Sequence, residues 1–324
     1  MEEALVKRAG IPFQSIPAAG VHGVGLRALP GNLAKLSRGV VASFRILKDF
    51  RPDVLFFTGG YVAFPMAFAG RGVPTLLYVP DIEPGLALKA VARFADRLAV
   101  TAEASRGYFP AKQRIVVTGY PLRADLEGWS RQSGSQRLGL SGDLPVLLVT
   151  GGSKGARTIN NAVLSSLTAL LELAQVVHIT GLLDWPVVEA AAKDLPEHLA
   201  ERYHAMPYLH EMGAALSAAD LVVSRAGASA LGEYPFFGLP AVLVPYPYAW
   251  RYQKVNAEVL SQRGAAILLE DHLMQAQLYP LIADLLRSPA KREAMRASMR
   301  ALSRPGAADA IASQLFELAG ETPL

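Results

Sequence analysis

From Asp53 onward, short continuous apolar runs alternate with longer stretches of helical periodicity. The first series is Asp53-Val-Leu-Phe-Phe-Thr58, Thr75-Leu-Leu-Tyr-Val79, Arg97-Leu-Ala-Val-Thr101 and Ile115-Val-Val-Thr118. Gly, Pro or Asp bounds each run and none alternates apolar with polar, which predicts strands buried on both faces by crossover helices. Helices are expected after Gly59-Gly60 and near residues 85–95. A second series follows: Val146-Leu-Leu-Val-Thr150, Val176-Val-His-Ile-Thr180, Leu221-Val-Val-Ser224, Ala241-Val-Leu-Val244 and Ala266-Ile-Leu-Leu269. Between the series, residues 125–144 are polar and turn-rich and read as a linker. Beyond about residue 275 only helical pattern remains, interrupted at Pro289 and Pro305. Two successive βαβ series imply an α/β chain with two doubly wound, Rossmann-like parallel-sheet domains, residues 1–124 and 145–304. Ligands of such sheets sit beyond the carboxyl ends of the strands, so the loops after strands, around an interdomain cleft, are where chemistry is sought.

Composition narrows the class. Of 324 residues, 51% are hydrophobic and 19% charged, enough for two packed cores and too apolar for a disordered chain. The absence of cysteine excludes a disulfide framework, a thiolate metal site and a cysteine nucleophile. None of the six histidines forms a His-x-x-x-His pair, so neither a metal site nor a cofactor is expected, and His178, in mid-strand, reads as structural. The opening Met1-Glu2-Glu3 carries no secretory signal. Gly59-Gly60 and Pro65 break the uncharged stretch between Asp53 and Arg71, which predicts a soluble intracellular protein. Charge is uneven. Residues 1–124 hold 16 Lys and Arg against 8 Asp and Glu, and the remainder 16 against 20. The basic first part fits nucleic acid, an anionic membrane or a phosphorylated substrate.

Three loops carry candidate chemistry. Thr150-Gly-Gly-Ser-Lys-Gly-Ala-Arg157 follows a strand and opens a helix, where glycines let backbone amides approach a phosphate and Ser153 adds a hydroxyl; a tight strand–helix turn is the competing reading. It is neither a Walker A loop nor Gly-x-Gly-x-x-Gly. Ser224-Arg-Ala-Gly-Ala-Ser-Ala-Leu-Gly-Glu233 again offers close backbone approach. Its Glu233, expected about one and a half turns into the next helix, is placed to accept a ribose diol unless it is an ordinary exposed helix glutamate. In Val244-Pro-Tyr-Pro-Tyr-Ala-Trp-Arg-Tyr-Gln-Lys-Val-Asn256, Gln253 and Asn256 share a helix face, while Trp250 and Tyr252 read as packing residues.

Taken in order with Gly59-Gly60-Tyr61-Val62-x-x-Pro65 and Thr118-Gly119-x-Pro121-x-Arg123, these loops resemble the MurG family of UDP-N-acetylglucosamine transferases, glycosyltransferase family 28, from Met1 to about residue 315. The resemblance implies a GT-B fold, an acceptor domain followed by a donor domain facing a cleft, and a last helix, residues 305–324, crossing back to the first domain. It implies inverting transfer of GlcNAc from UDP-GlcNAc to undecaprenyl-diphospho-muramoyl-pentapeptide, lipid I to lipid II, without a metal. Arg123 and Ser153 match positions that hold the UDP-sugar, and Leu209 one whose backbone meets uracil. Ala228, Ser229, Ala230, Leu231, Gly232 and Glu233 match the diphosphate-and-ribose loop, with Glu233 on the ribose. Gln253 matches a sugar contact and Asn256 its neighbour in the motif. Nucleic acid then drops out as a partner, and peripheral attachment to the cytoplasmic side of an anionic membrane replaces it.

Two departures qualify the match. Family members begin with a strand and a Gly-Gly-Thr-Gly-Gly-His loop thought to supply the base; here the opening resembles a segment downstream of it, so a first domain short of one strand–loop–helix–strand unit, roughly 30 residues, is expected. Tyr78-Val-Pro-Asp-Ile-Glu-Pro-Gly85 stands where His-Glu-Gln-Asn is usual, putting Asp81 at an asparagine position that touches the donor sugar. Asp81 or Glu83 is therefore a candidate base, with a helix-capping Asp81 as the alternative. A different lipid-linked acceptor, or a non-catalytic UDP-sugar-binding protein, are the competing functions. Finally, Leu33, Leu36, Val40, Phe44 and Leu47 follow helical spacing beside Lys35, Arg38, Arg45, Lys48 and Arg51, predicting a core-facing helix with a basic outer face.

Overall fold

A computed structural model of the 324-residue chain describes residues 2–20, 25, 27, 29–152, 155–248 and 252–321. Ser153 and Trp250 lie outside them. Two parallel sheets organise the described chain. The first holds β1 (Leu55–Phe57), β2 (Thr75–Val79), β3 (Arg97–Val100) and β4 (Ile115–Val117), adjacent in chain order. The second holds β5 (Val146–Thr150), β6 (Gln175–Ile179), β7 (Tyr203–Met206), β8 (Leu221–Ser224), β9 (Ala241–Leu243) and β10 (Ala266–Leu268) in the order β10-β9-β8-β5-β6-β7. All pairings are parallel, with β5 flanked by β6 (Val149 opposite His178) and β8 (Thr150 opposite Ser224). This is the GT-B arrangement of two α/β units.

Every strand residue of β2, β5, β6 and β8 is buried, as continuous apolar runs require when helices cover both faces. One core cluster packs Leu147, Val149, Val176 and Val223 against the helices Arg157–Leu164 and Met274–Arg287; the opposite face packs Leu148, Val222 and Leu243 with Val255 and Leu260. His178 is fully buried and pairs with Tyr203 Oη at 2.8 Å and Asn160 Oδ1 at 3.0 Å. Burial holds it neutral, with its pKa lowered to about 3.

Three elements differ from the sequence expectation. Residues 125–144 contain the helix Arg131–Leu138, started by a Ser130–Ser133 capping box and docked on the helix Met212–Ala218 through Gly134, where a Cβ would lie 2.4 Å from Ala214 O. The edge strand β7 was absent from the apolar pattern because beyond Tyr203 its residues are only half-buried. The helix Leu29–Phe50 turns its 33–36–40–44–47 row only partly to the core: Leu36, Val40 and Leu47 are half-buried, and Leu47 packs against the core of the first sheet. It meets the helix Ala63–Ala69 through buried Gly39 and Ser43, which leaves Leu33 50% and Phe44 52% exposed.

The helix Ala307–Ala319 lies on the first sheet. Its Ile311 joins Leu76, Tyr78 and Ala99 in a buried cluster, and Glu317 accepts from Arg97 Nη1 at 2.6 Å. Gly119, at φ +94°, lets this crossing chain approach; a Cβ there would stand 2.9 Å from Arg304 Cβ.

Candidate active site

After β5 the chain builds β6 and β7 on one side, then returns to lay β8 on the other, so strand order reverses between β5 and β8. Loops leaving neighbouring strands in opposite directions open a crevice there. A cleft of about 430 Å³ occupies this point, floored by Thr150, Gly151 and Gly152 after β5 and by Ser224, Arg225 and Gly227 after β8. Its walls carry Arg123 from the first domain and Leu209, Ser229, Glu233 and Gln253 from the second. Five of the residues singled out from sequence therefore converge, from segments up to 130 positions apart. Gly152, at φ +80°, adopts a backbone conformation that an L side chain resists, which turns the chain sharply beneath the crevice.

Within residues 228–233 only Ser229 and Glu233 face the cleft. Ala230 and Leu231 enter the core cluster beneath β8, and Gly232 packs on Tyr120 so closely that a Cβ would lie 2.6 Å from that residue's Cβ. Ala228 opens the short 3-10 turn Ala228–Leu231 without lining the cleft. Glu233 is not one and a half turns into a helix. It is the first residue of the helix Glu233–Phe237, because Pro235, which lacks an N–H, is accommodated only in a first turn. Burial pushes the Glu233 carboxyl up, while the Arg123 guanidinium and a hydrogen bond from Ser229 oppose the shift. Glu233 and Asp81 in turn raise the Tyr120 phenol, chiefly a burial effect.

Gln253 Oε1 accepts from Tyr246 N at 2.8 Å, pinning the proline-rich loop to the helix Tyr252–Gln262. Asn256, three residues on, turns away from the cleft. It is 1% exposed and donates to Asp81 Oδ1 at 2.8 Å and Ala226 O at 3.1 Å. Asp81 does not line the cleft either, and burial raises its carboxyl against the pull of the Asn256 bond. Nor is it a helix cap, since Gly85 occupies that position for Leu86–Val91 with no side-chain cap bond. Glu83 is buried, 3.6 Å from Lys89 Nζ.

One cleft residue escaped the sequence reading. Arg225 donates to Asp271, to Thr158 Oγ1 at 2.8 Å and to Val244 O at 3.3 Å, and its guanidinium lies 5.2 Å from the Tyr246 ring centroid. It cross-links the loops after β8 and β9. The available signal was a lone arginine in a run of small residues after a buried strand.

The arrangement suits a nucleoside diphosphate: small residues whose backbone a phosphate can approach, a carboxylate beside an arginine, and apolar Leu209 with Pro207 and Ile179 for a planar base. Residues 146–312 match the glycosyltransferase family 28 C-terminal domain and residues 1–100 the glycosyltransferase family 28 N-terminal domain. A protein of Roseiflexus sp. (strain RS-1), the UDP-N-acetylglucosamine–N-acetylmuramyl-(pentapeptide) pyrophosphoryl-undecaprenol N-acetylglucosamine transferase, is 41% identical, covering 98% of this chain and 81% of its own length. The protein of the same name from Desulforudis audaxviator is 39% identical, over 99% and 88%. The crystal structure of Acinetobacter baumannii MurG superposes with a TM-score of 0.76 at 27% identity, covering 98% of this chain and 88% of that one.

Proposed function

The chain belongs to glycosyltransferase family 28, and on that premise we propose that it transfers N-acetylglucosamine from UDP-N-acetylglucosamine to undecaprenyl-diphospho-muramoyl-pentapeptide, with inversion at the anomeric carbon. The observation that carries this reading is the donor-type cleft at the β5/β8 reversal in a chain 39–41% identical, over nearly its whole length, to transferases of that name. UDP lies across the reversal point with uracil toward Leu209 and the ribose diol on Glu233, whose carboxylate accepts two hydroxyl hydrogens. The diphosphate meets the amides of the loops after β5 and β8, with Ser229 and Arg123 beside it; Ser153, outside the described residues, belongs to the same loop by resemblance. Gln253 faces the sugar. The acceptor hydroxyl oxygen attacks the anomeric carbon opposite the departing UDP and gives up its proton to solvent water, the bond from the anomeric carbon to the diphosphate breaks, and its electron pair passes to the β-phosphate oxygen. Amides and guanidinium preorganised around that oxygen stabilise the charge as it develops, the usual large term in such transfers.

The acceptor's lipid implies a membrane. No helix among the described residues is long and apolar enough to cross one. Attachment is assigned to the helix Leu29–Phe50, where exposed Leu33, Val41 and Phe44 fall within an arc of about 80° at the helical period. Lys48 lies inside that arc, with Arg45 and Arg38 about 40–60° beyond one side of it, the pattern of a helix lying on anionic lipid at the cytoplasmic face.

The test is transfer of radiolabelled GlcNAc from UDP-GlcNAc to a short-chain analogue of the lipid acceptor in detergent. Label is expected in the organic phase only when the complete acceptor is present. Transfer to a different polyprenyl glycolipid but not to this one would replace the acceptor assignment, and binding of UDP-GlcNAc without any turnover would make the chain a binding protein.

A further inference from the structure

We propose that Asp81 and Asn256 form an interdomain latch in which Asp81 is a positioning residue, holding the donor-cleft loops in register with the first domain. The proposal rests on reading the β5/β8 cleft as the donor site.

Three segments meet at Asn256. Its two amide hydrogens go to Asp81 Oδ1 at 2.8 Å, in the loop leaving β2, and to Ala226 O at 3.1 Å, in the loop leaving β8. Its Oδ1 accepts from Ile82 N at 3.0 Å. Donor and acceptor functions are thus all engaged, and 1% exposure leaves no face for a sugar hydroxyl. The neighbouring residue strengthens the joint. Ile82, also 1% exposed, belongs by sequence to the first domain but packs in the second domain's core with Leu148, Ala226, Leu231 and Val255. Gly85 closes the same turn against Tyr252, where a Cβ would meet the phenol oxygen at 3.4 Å.

The loop after β8 and the start of the helix Tyr252–Gln262, both reached by the latch, line the cleft. Ala226 lies between Arg225 and Gly227, and Gln253, one turn before Asn256, faces the cleft while holding Tyr246. Breaking the Asp81 bond leaves a buried amide hydrogen of Asn256 unpaired and frees the loop after β8 to shift relative to the first domain. Asp81 therefore acts through Asn256 on donor binding. A base at this position would need its carboxylate open to the cleft, which it does not line.

The experiment compares wild type, D81A, D81N and N256A by UDP-GlcNAc calorimetry, by transfer kinetics and by amide exchange of the nucleotide-free protein. Loss of one buried hydrogen bond predicts a rise of about tenfold in Kd and KM for UDP-GlcNAc in D81A, with kcat changed less. D81N, whose amide oxygen still accepts from Asn256, recovers most of that loss. Exchange protection of the Ile82 amide is expected in wild type and D81N and is lost in N256A. Two results overturn the latch: D81A binding the donor as tightly as wild type, or D81N as inactive as D81A with donor affinity intact, the mark of a proton-transfer role. Exchange is read without nucleotide. Wild type that fails to bind UDP-GlcNAc while Ile82 protection tracks the variants as stated would therefore count against the donor reading and leave the latch standing.

Discussion

At Glu233, stability and function pull in opposite directions. Burial raises its carboxyl, so at neutral pH the folded chain holds a charge it partly disfavours, with Arg123 as the compensating neighbour. An acid with a raised folded pKa contributes its stability below the unfolded value, about 4.3, and loses it as pH rises through the folded value. E233Q removes that penalty. Its thermal midpoint is expected to gain on wild type progressively as pH rises above about 4, while its affinity for UDP-GlcNAc falls at least about tenfold through loss of charged hydrogen bonds. Differential scanning across pH and calorimetry at neutral pH check the pair of effects; a midpoint difference that shrinks with rising pH would contradict it. The residue scale also shows where sequence reading ends. Glu233 and Gln253 were legible because the segments after β8 and β9 stand out in the sequence, and Arg123 and Leu209 through the family resemblance. Asn256 was not, because its partners Asp81 and Ala226 lie 175 and 30 positions away and only the fold brings them together.

Elements were legible where burial is two-sided. Apart from β7, the strands of both sheets stand within a residue or two of their apolar runs, and the helices after residue 274 break at Pro289 and between Arg300 and Ala307. Elements that contact one neighbour through small residues were not. In Leu29–Phe50 the most buried side runs through Gly39 and Ser43, so the apolar row overlaps it only in part: Leu36, Val40 and Leu47 are half-buried while Leu33 and Phe44 stay exposed. A Cβ on Gly39 would stand 2.1 Å from Pro17 O, a backbone atom with little freedom to yield. G39A is accordingly expected to cost about 1–3 kcal/mol, read as a lowered denaturation midpoint. The opposite face gives a separate prediction: Phe44→Glu weakens sedimentation with anionic vesicles while leaving the midpoint near wild type, since Phe44 is 52% exposed. Equal vesicle binding by the two proteins would remove this helix from the membrane contact.

For the whole molecule, contacts that join the two sheets among the described residues include the turn at Asp81–Gly85, the Tyr120–Gly232 contact and the last helix lying on β2 and β3. That helix covers Leu76, Tyr78 and Ala99, so Ile311→Asp places a charge in a buried apolar cluster and is expected to destabilise the first domain by about 3 kcal/mol or more. The charge asymmetry fits the proposed division of labour, in which the basic first part meets the lipid and the second holds UDP through local amides and a few side chains rather than bulk charge. Transfer at the donor cleft is proposed to be a single displacement. Its most direct test is the anomeric configuration of the transferred GlcNAc, read from proton coupling in the NMR spectrum of the isolated lipid product. The α-linked donor should yield a β-linked product. An α-linked product, or free GlcNAc released without acceptor glycosylation, would contradict it.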